Sequence, residues 1–454
     1  IPSGQAAADV SEATALINID RHYPSPGQPF TSDPESPVRP ALAPFPTGSK
    51  YCPKALTFHD VLRAAIKKKN RASGPGLSGM FLLHIYEILR LGKEASQFLI
   101  DLLNACAKNQ VSDPIRDLLL ARRAFLADKP GRPGKRPIGV GESLFRVGFT
   151  PLLQSLTRVF RKNGSGVQYG VGVPNGCVRA NSLINDQLAL PGSIAMTLDA
   201  ISAFNLITRR SIQDELIDNE AYNPYVSLFA FLYGALIFIL FVSILALGGM
   251  KVIRQKDGTA QGCLFASIFY AIGTDGVYRA ANSEQIVMTA IVDDVAIAGD
   301  RTASQEASLK VVRGLEQCGV FCNKAKGVLL LPGATESELA NVDATAMGFP
   351  IDTKATNLGF KYGGLPIACM NTEQGSCFIN DCLVEKLAKF NRQVDTLMCL
   401  GSVQQELYVL EVGLLKQFAN ITSAFPCGEG QQFQSFTRRV REITINAIKK
   451  MSGE

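Results

Sequence analysis

The sequence predicts an α+β fold, because short β-prone runs that carry aspartates alternate with longer helical patterns. Val287–Gly299 joins two apolar runs through the adjacent pair Asp293-Asp294, the pattern of a hairpin with an acidic turn. Ile194–Leu198 is a second strand-like run, and it closes on Asp199. Helical periodicity starts near Leu56 with Thr57-Phe58-His59-Asp60-Val61-Leu62-Arg63 and recurs over Phe81–Leu91 and Ala95–Lys108. From about Phe378 to Lys450 the chain again reads as mostly helical and ends in a basic face.

Two strands that each end in an aspartate can lie side by side in one sheet. Asp199 and Asp293 then meet at a common edge. Buried like charges repel, so such carboxylates call for a cation. Mg²⁺ takes oxygen ligands and binds through carboxylates together with substrate phosphates. Two such ions held about 3.5–4 Å apart serve phosphoryl and nucleotidyl transfer. Taken alone, Asp293-Asp294 reads equally as a solvated turn.

At 454 residues the chain exceeds one compact core and implies two or three subdomains. Basic residues outnumber acids by six, 46 against 40, a bias too mild to establish nucleic-acid binding. The basic residues cluster, however, at Lys67–Arg71, Arg122-Arg123, Lys129–Arg136, Arg158–Lys162 and Arg438–Arg441. The 11 cysteines form no Cys-x-x-Cys pair, and the three histidines all precede residue 85. That spacing excludes an ordinary structural zinc site and fits a reducing compartment. The chain begins with Ile1 and shows no secretory signal, so it is read as a fragment or a processed product. Eight prolines between Pro24 and Pro46 read as an extended linker. Ala221 through Met250 carries no charge and is long enough to span a bilayer. A single span there would separate Asp199 from Asp293, which favours a buried core segment.

Eight motifs in order, over roughly residues 70 to 425, resemble the reverse transcriptases of non-LTR (LINE-type) retrotransposons. Arg71-Ala72-Ser73-Gly74-Pro75-Gly76-Leu77-Ser78-Gly79 resembles their Ser-Gly-Pro-Asp-Gly segment, with Gly76 in place of the usual Asp. Lys135-Arg136-Pro137-Ile138 with Arg146 resembles the "RPI … R" motif, and Gln168-Tyr169-Gly170 through Gly176 the "Q-[FY]-G … GG" motif. Leu198-Asp199 through Asn205 is similar to the first palm aspartate motif, and Gly258-Thr259-Ala260-Gln261-Gly262 to "GxxQG". Ile291-Val292-Asp293-Asp294 stands at "YxDD", with Ile291 replacing an aromatic, and Cys263-Leu264 departs from the usual continuation of "GxxQG". Gly319–Lys326 resembles "GLxxNxxK", and Asn357-Leu358-Gly359 with Gly363-Gly364 the primer-grip hairpin.

The resemblance implies a right-hand polymerase of fingers, palm and thumb, with an antiparallel palm sheet packed on helices. The expected divisions are a linker at 1–55, fingers and extension at 56–193, palm at 194–368 with an inserted fingers segment at about 206–256, and thumb at 369–454. The implied activity is RNA-directed DNA synthesis using RNA template, DNA primer and deoxynucleoside triphosphates, with two Mg²⁺ or, in substitution, Mn²⁺. Asp199, Asp293 and Asp294 are the expected metal ligands, and Lys326 a general acid or a screening charge. Lys135, Arg136 and Arg146 are expected at the triphosphate, Phe204 at the sugar gate, and Gln261 at the nucleotide or template base. Gly258, Gly262, Gly359, Gly363 and Gly364 are expected to shape primer and template contacts. A nuclear location follows from the resemblance, no membrane partner is implied, and the sequence does not set the oligomeric state. The competing expectation is a decayed or domesticated domain that binds RNA without catalysis.

Overall fold

The computed structural model describes residues 25–30, 38–69, 73–128, 135–235, 237–241, 251–340, 344–345, 347–352, 355–398, 403–418 and 431–452. Its strands in chain order are β1 (Arg122–Asp128), β2 (Lys135–Val140), β3 (Ile194–Ile201), β4 (Ile237–Phe241), β5 (Lys251–Gln255) and β6 (Ile286–Ile291). They continue with β7 (Asp294–Gly299), β8 (Phe321–Cys322), β9 (Val328–Leu330), β10 (Phe360–Tyr362) and β11 (Leu365–Ile367). The fold is α+β, with an antiparallel sheet packed on helices.

The chain forms two units, neither continuous in sequence: Ile1–Gly166 with Ala200–Arg279 and Arg313–Phe321, and Val167–Asp199 with Ala280–Val312 and Cys322–Glu454.

In the first unit, helix Phe58–Lys68 begins where the sequence places it, because Thr57 and Asp60 form a capping box. The expected helices follow at Leu82–Arg90 and Lys93–Ala107. A four-stranded sheet runs in the order β2-β1-β4-β5. The uncharged segment is a helix, Val226–Tyr233, followed by β4. All of Val226 and Leu228–Tyr233 is buried, and no helix among the described residues is long and apolar enough to cross a membrane. Residues 242–250, the rest of that run, lie outside the described residues. Phe229, Phe231 and Tyr233 join Phe145, Phe149, Phe265 and Phe269 in a cluster with ring centroids 5.0–6.4 Å apart. Edge and tilted ring contacts of this kind add to area burial.

Buried charges in this unit draw on one another and on backbone, with Arg39 Nε and Nη2 left without a hydrogen bond among the described residues. Arg209 is 3% exposed and donates to the carbonyls of Tyr233, Ala235, Gln255 and Gly258. Burial still pulls its guanidinium down to about 10. Asp257 accepts from the Arg209 and Gly258 amides at 2.8 and 2.9 Å and from Arg39 at 3.3 Å. Arg39 is 1% exposed and also donates to the Leu206 carbonyl. Its neighbour Ala43 exchanges two hydrogen bonds with the Gln213 amide at 2.7 Å. Residues 38–43, inside the proline-rich stretch expected to be linker, are therefore packed. Proline content reports the lack of periodic structure, and here Arg39 and Ala43 together anchor such a segment.

In the second unit the sheet order is β6-β7-β3-β8, and β9 also pairs with β3. Helix Gly176–Leu188 supplies Ala180, Ile184 and Leu188 to a cluster with Ala195, Ala296, Ala298, Leu330, Tyr362 and Ile367. The alanines on both surfaces let helix and sheet approach closely. Helices Glu373–Leu397 and Gln431–Ser452 pack around Phe390, Phe418 and Phe436, whose successive ring centroids lie 4.8 and 5.7 Å apart.

Removing the Asp257 carboxylate leaves Arg39 and the Arg209 loop without their acceptor. Asp257→Ala should lower the unfolding free energy by about 3–5 kcal/mol, measured by urea denaturation. A loss below about 0.5 kcal/mol would show that backbone carbonyls alone hold the two arginines.

Candidate active site

β3 pairs with β7 in a register that sets Asp199 opposite Asp294. β6 pairs with β7 so that Ile291 faces Asp294, leaving Val292-Asp293 as a two-residue hairpin turn. Asp294 is the cross-strand partner of Asp199, and Asp293 occupies the turn beside them. β3 also continues past Asp199 to Ile201.

Directly opposed carboxylates on one face of a sheet are destabilising. Asp294 shows the effect: burial first, then the charges of Asp293 and Asp199, push its carboxyl up to about 6, with Lys326 opposing. Lys326 Nζ lies 2.7 Å from Asp199 Oδ2. Its backbone places it there: Lys324–Lys326 is a single 3₁₀ turn, and the Asn323 amide donates to the Asp199 carbonyl at 2.7 Å. Both partners are partly exposed, at 43% and 31%, so solvent screens the pair to at most about 1 kcal/mol.

The glycine hairpin closes the other side of this unit's site. Gly363 and Gly364 have φ of 55° and 81°, which marks a type I′ turn between β10 and β11. A Cβ at Gly363 would come 2.5 Å from Ile291 Cδ1. Tyr362 donates its hydroxyl to the Thr289 carbonyl at 2.9 Å and to the Asp294 carbonyl at 3.3 Å. Tyr362 went unrecognised in the sequence; an aromatic just before Gly363-Gly364 is the available signal. At Gly359, φ is 151° and a Cβ would lie 2.5 Å from the Ile367 carbonyl oxygen.

The remaining expected residues belong to the first unit. Phe204 sits in the short helix Ala203–Leu206, half-buried, with its ring 5.4 Å from that of Tyr270. Its carbonyl accepts from the Thr259 amide at 2.6 Å. Gly258 has φ of 70°, and a Cβ there would meet the Asn205 carbonyl oxygen at 2.4 Å. The Phe204 loop and the Gly258–Gly262 loop therefore lie in close contact. The Gln261 carbonyl accepts from Gly139 of β2 at 3.0 Å. Gly262, with φ of 92°, has room for no Cβ beside the Gly139 carbonyl.

Arg146 is engaged: it donates to the Gly74 carbonyl at 2.6 Å, to Ser143 Oγ at 2.9 Å and to Ser73 Oγ. In this state it ties the Ser73–Gly79 segment to its own helix, while burial lowers its pKa. Gly76, where the resembled family has Asp, lies against Glu142; a Cβ would meet Glu142 Oε1 at 2.6 Å. Glu142 accepts from Ser78 through both oxygens. Lys135 and Arg136 lie on β2, but their side chains, and residues 129–134 of that basic group, lie outside the described residues. So do Asn70 and Arg71 of the Lys67–Arg71 group.

The donor chemistry of Asp199, Asp293 and Asp294 fits a hard divalent cation, because hard ions take carboxylate oxygens. Among the described residues no three such groups are already drawn together as a metal cluster, and Asp199 is committed to Lys326. The raised Asp294 carboxyl gives a stability test in chelator. The unfolded group loses its proton near 3.8 and the folded one near 6. The stability it contributes is therefore present below pH 4 and is lost as pH rises through 6. Between pH 4 and 7, wild type should lose about 2 kcal/mol relative to Asp294→Asn, after discounting for solvent. Parallel pH profiles of the two proteins in chemical denaturation would show instead that the carboxyl is not displaced.

No family model matches the sequence. The chain is 26% identical over 288 residues to the "Retrotransposable element SLACS 132 kDa protein" of Trypanosoma brucei gambiense, a match covering 62% of this chain and 23% of that protein's length. Similar solved structures include telomerase from Candida albicans with a TWJ fragment of telomeric RNA, at 14% identity and a TM-score of 0.39, covering 81% of this chain and 64% of that one. Apo telomerase from Candida tropicalis, at 14% identity and a TM-score of 0.41, covers 73% and 63%. TM-scores this low carry no weight for fold or function. In its ordered motifs and in its retrotransposon relative, the chain resembles the reverse transcriptases of non-LTR retrotransposons.

Proposed function

We propose that the chain is the RNA-directed DNA polymerase portion of a non-LTR retrotransposon protein, extending a DNA primer on an RNA template. One observation carries the reading: Asp199 and Asp294 face each other across β3 and β7, with Asp293 in the adjoining turn. Asp199, Asp293 and Asp294 would hold Mg²⁺, or Mn²⁺ in its place. When bound, the ions would supply charge neutralisation at the primer 3′-hydroxyl and at the departing pyrophosphate.

The protein's own groups supply orientation and proton placement. The carboxylates repel one another until cations arrive, so binding relieves a strain already built into the sheet. Lys326 Nζ, now on Asp199, carries a proton where the pyrophosphate would leave. Phe204 would pack under the incoming sugar and exclude a 2′-hydroxyl, and Lys135 and Arg136 would neutralise the triphosphate. Gly359, Gly363 and Gly364 would bring backbone against the primer strand, while Gly258, Gln261 and Gly262 would meet the template side.

The second reading is RNA binding without synthesis. Lys326 on Asp199 favours it, since an ammonium there competes with a metal ion.

Primer extension on an RNA template with Mg²⁺ and deoxynucleotides separates the two. Wild type should extend, and Asp293→Ala should fall to background while keeping primer–template affinity in a filter assay. Well-folded wild type that binds the duplex and never extends would establish the binding-only reading. Phe204→Ala should cut discrimination against ribonucleotides by about tenfold or more, some 1.4 kcal/mol, measured as the ratio of kcat/KM values. An unchanged ratio would make Phe204 a packing residue.

A further inference from the structure

We propose that Gln168 is a positioning residue for the aspartate turn, clamping the two peptides that flank Val292 and so aiming Asp293; the inference rests on the polymerase reading. Val292 has φ of +60°. For a β-branched residue this region is an outlier, at a cost of order 1–3 kcal/mol. The other described non-glycine residues with positive φ are Asn109, Asn175 and Ser202, none of them β-branched. A two-residue hairpin turn with φ positive at its first position ordinarily takes glycine there. Something must therefore hold Val292 where its side chain resists.

The Gln168 side chain does so from both ends. Its Oε1 accepts from the Val292 amide at 2.8 Å, and its Nε2 donates to the Val292 carbonyl at 3.0 Å. Oε1 also accepts from the Gly170 amide at 2.9 Å. The reversed amide would set donor against donor twice, so the network fixes its orientation. Because each peptide is planar, the bond to the Val292 amide fixes the Ile291–Val292 unit, and the bond to its carbonyl fixes the Val292–Asp293 unit. Between them lie only the φ and ψ of Val292, and beyond them begins Asp293.

The clamp has a rigid base. Gln168 bridges Ala290 of β6 in parallel. The Tyr169 amide donates to the Ala290 carbonyl at 2.7 Å, and the Ala290 amide to the Val167 carbonyl at 2.8 Å. Gln168 is 5% exposed. Gly170 lies so close to the turn that a Cβ would sit 2.5 Å from the Val292 nitrogen. The Gln-Tyr-Gly run is thus a bracket: the glutamine grips, and the glycine lets the gripped peptide approach.

The test uses Gln168→Met, which keeps length and loses all three side-chain hydrogen bonds, with and without Val292→Gly, which removes the strain. In chelator, hydrogen exchange over the turn should speed up in Gln168→Met. Binding of Mn²⁺ alone, followed by its electron paramagnetic resonance signal, should weaken about tenfold or more. Adding Val292→Gly should recover much of that loss, because glycine adopts the turn unaided. If Gln168→Met fails to fold, the double variant should fold. Gln168→Glu keeps the acceptor and loses the donor, and should fall between wild type and Gln168→Met in exchange. Unchanged exchange and Mn²⁺ binding in Gln168→Met would overturn the proposal, as would a double variant no better than the single one. A wild type that never extends primers, yet loses exchange protection and Mn²⁺ affinity in Gln168→Met, would sink the polymerase reading and leave the clamp standing.

Discussion

Electrostatic repulsion among Asp199, Asp293 and Asp294 is the constraint around which the second unit is organised. The β3–β7 register sets two of these carboxylates face to face, and a one-residue slip would send one of them to the opposite side of the sheet. The surrounding contacts hold that unfavourable arrangement in place. The Asn323 amide fixes the β3 backbone at Asp199, Lys326 offsets part of the negative charge, and Tyr362 ties the glycine hairpin to the Asp294 carbonyl. The helix–sheet cluster beneath combines Ala180, Ala195, Ala296 and Ala298 with Ile184, Leu188 and Tyr362. Acid that protonates Asp294 relieves part of this repulsion, because its carboxyl is held up at about 6.

The first unit solves a different charge problem. Arg39, Arg209 and Asp257 are almost wholly buried, and Arg209 draws on four carbonyl oxygens together with the nearby charge of Asp257. Such an arrangement spends desolvation free energy to fix the geometry of loops. The loops so fixed are those bearing Phe204 and Gly258, which meet through the Thr259–Phe204 hydrogen bond.

Much of this could be read in the sequence. Apolar, β-prone runs announced β6, β7 and β3; the helical pattern starting at Thr57 announced a helix start; Gly363-Gly364 announced a tight hairpin. The aspartates stood out because acidic residues between apolar strands are costly without a purpose. Register was less accessible: the sequence brought Asp199 and Asp293 to a common edge without a register, and the sheet sets Asp199 opposite Asp294, because pairing is decided by the whole hydrogen-bond ladder. Long-range polar contacts left still less trace. Nothing local marks Gln168 as the partner of a peptide 124 residues away, or Arg39 as the partner of Asp257, 218 residues away. Arg146 was expected to face phosphate, and its bonds to Ser73, Gly74 and Ser143 depend on a loop whose path the sequence does not give.

The interleaving of the two units has a consequence for synthesis. The first unit needs Arg313–Phe321, and the second needs Val167–Asp199 together with everything after Cys322. On the ribosome, neither can close when its first segment emerges. The residues ahead of position 167 must wait for more than a hundred later ones, and the strand bearing Asp199 waits with an open edge for β7. Domains that fold as continuous units escape this delay. A chain so threaded should be prone to aggregate when elongation stalls between residues 200 and 320, and should gain more from chaperones that shield nascent strands than a protein of equal length built from consecutive domains.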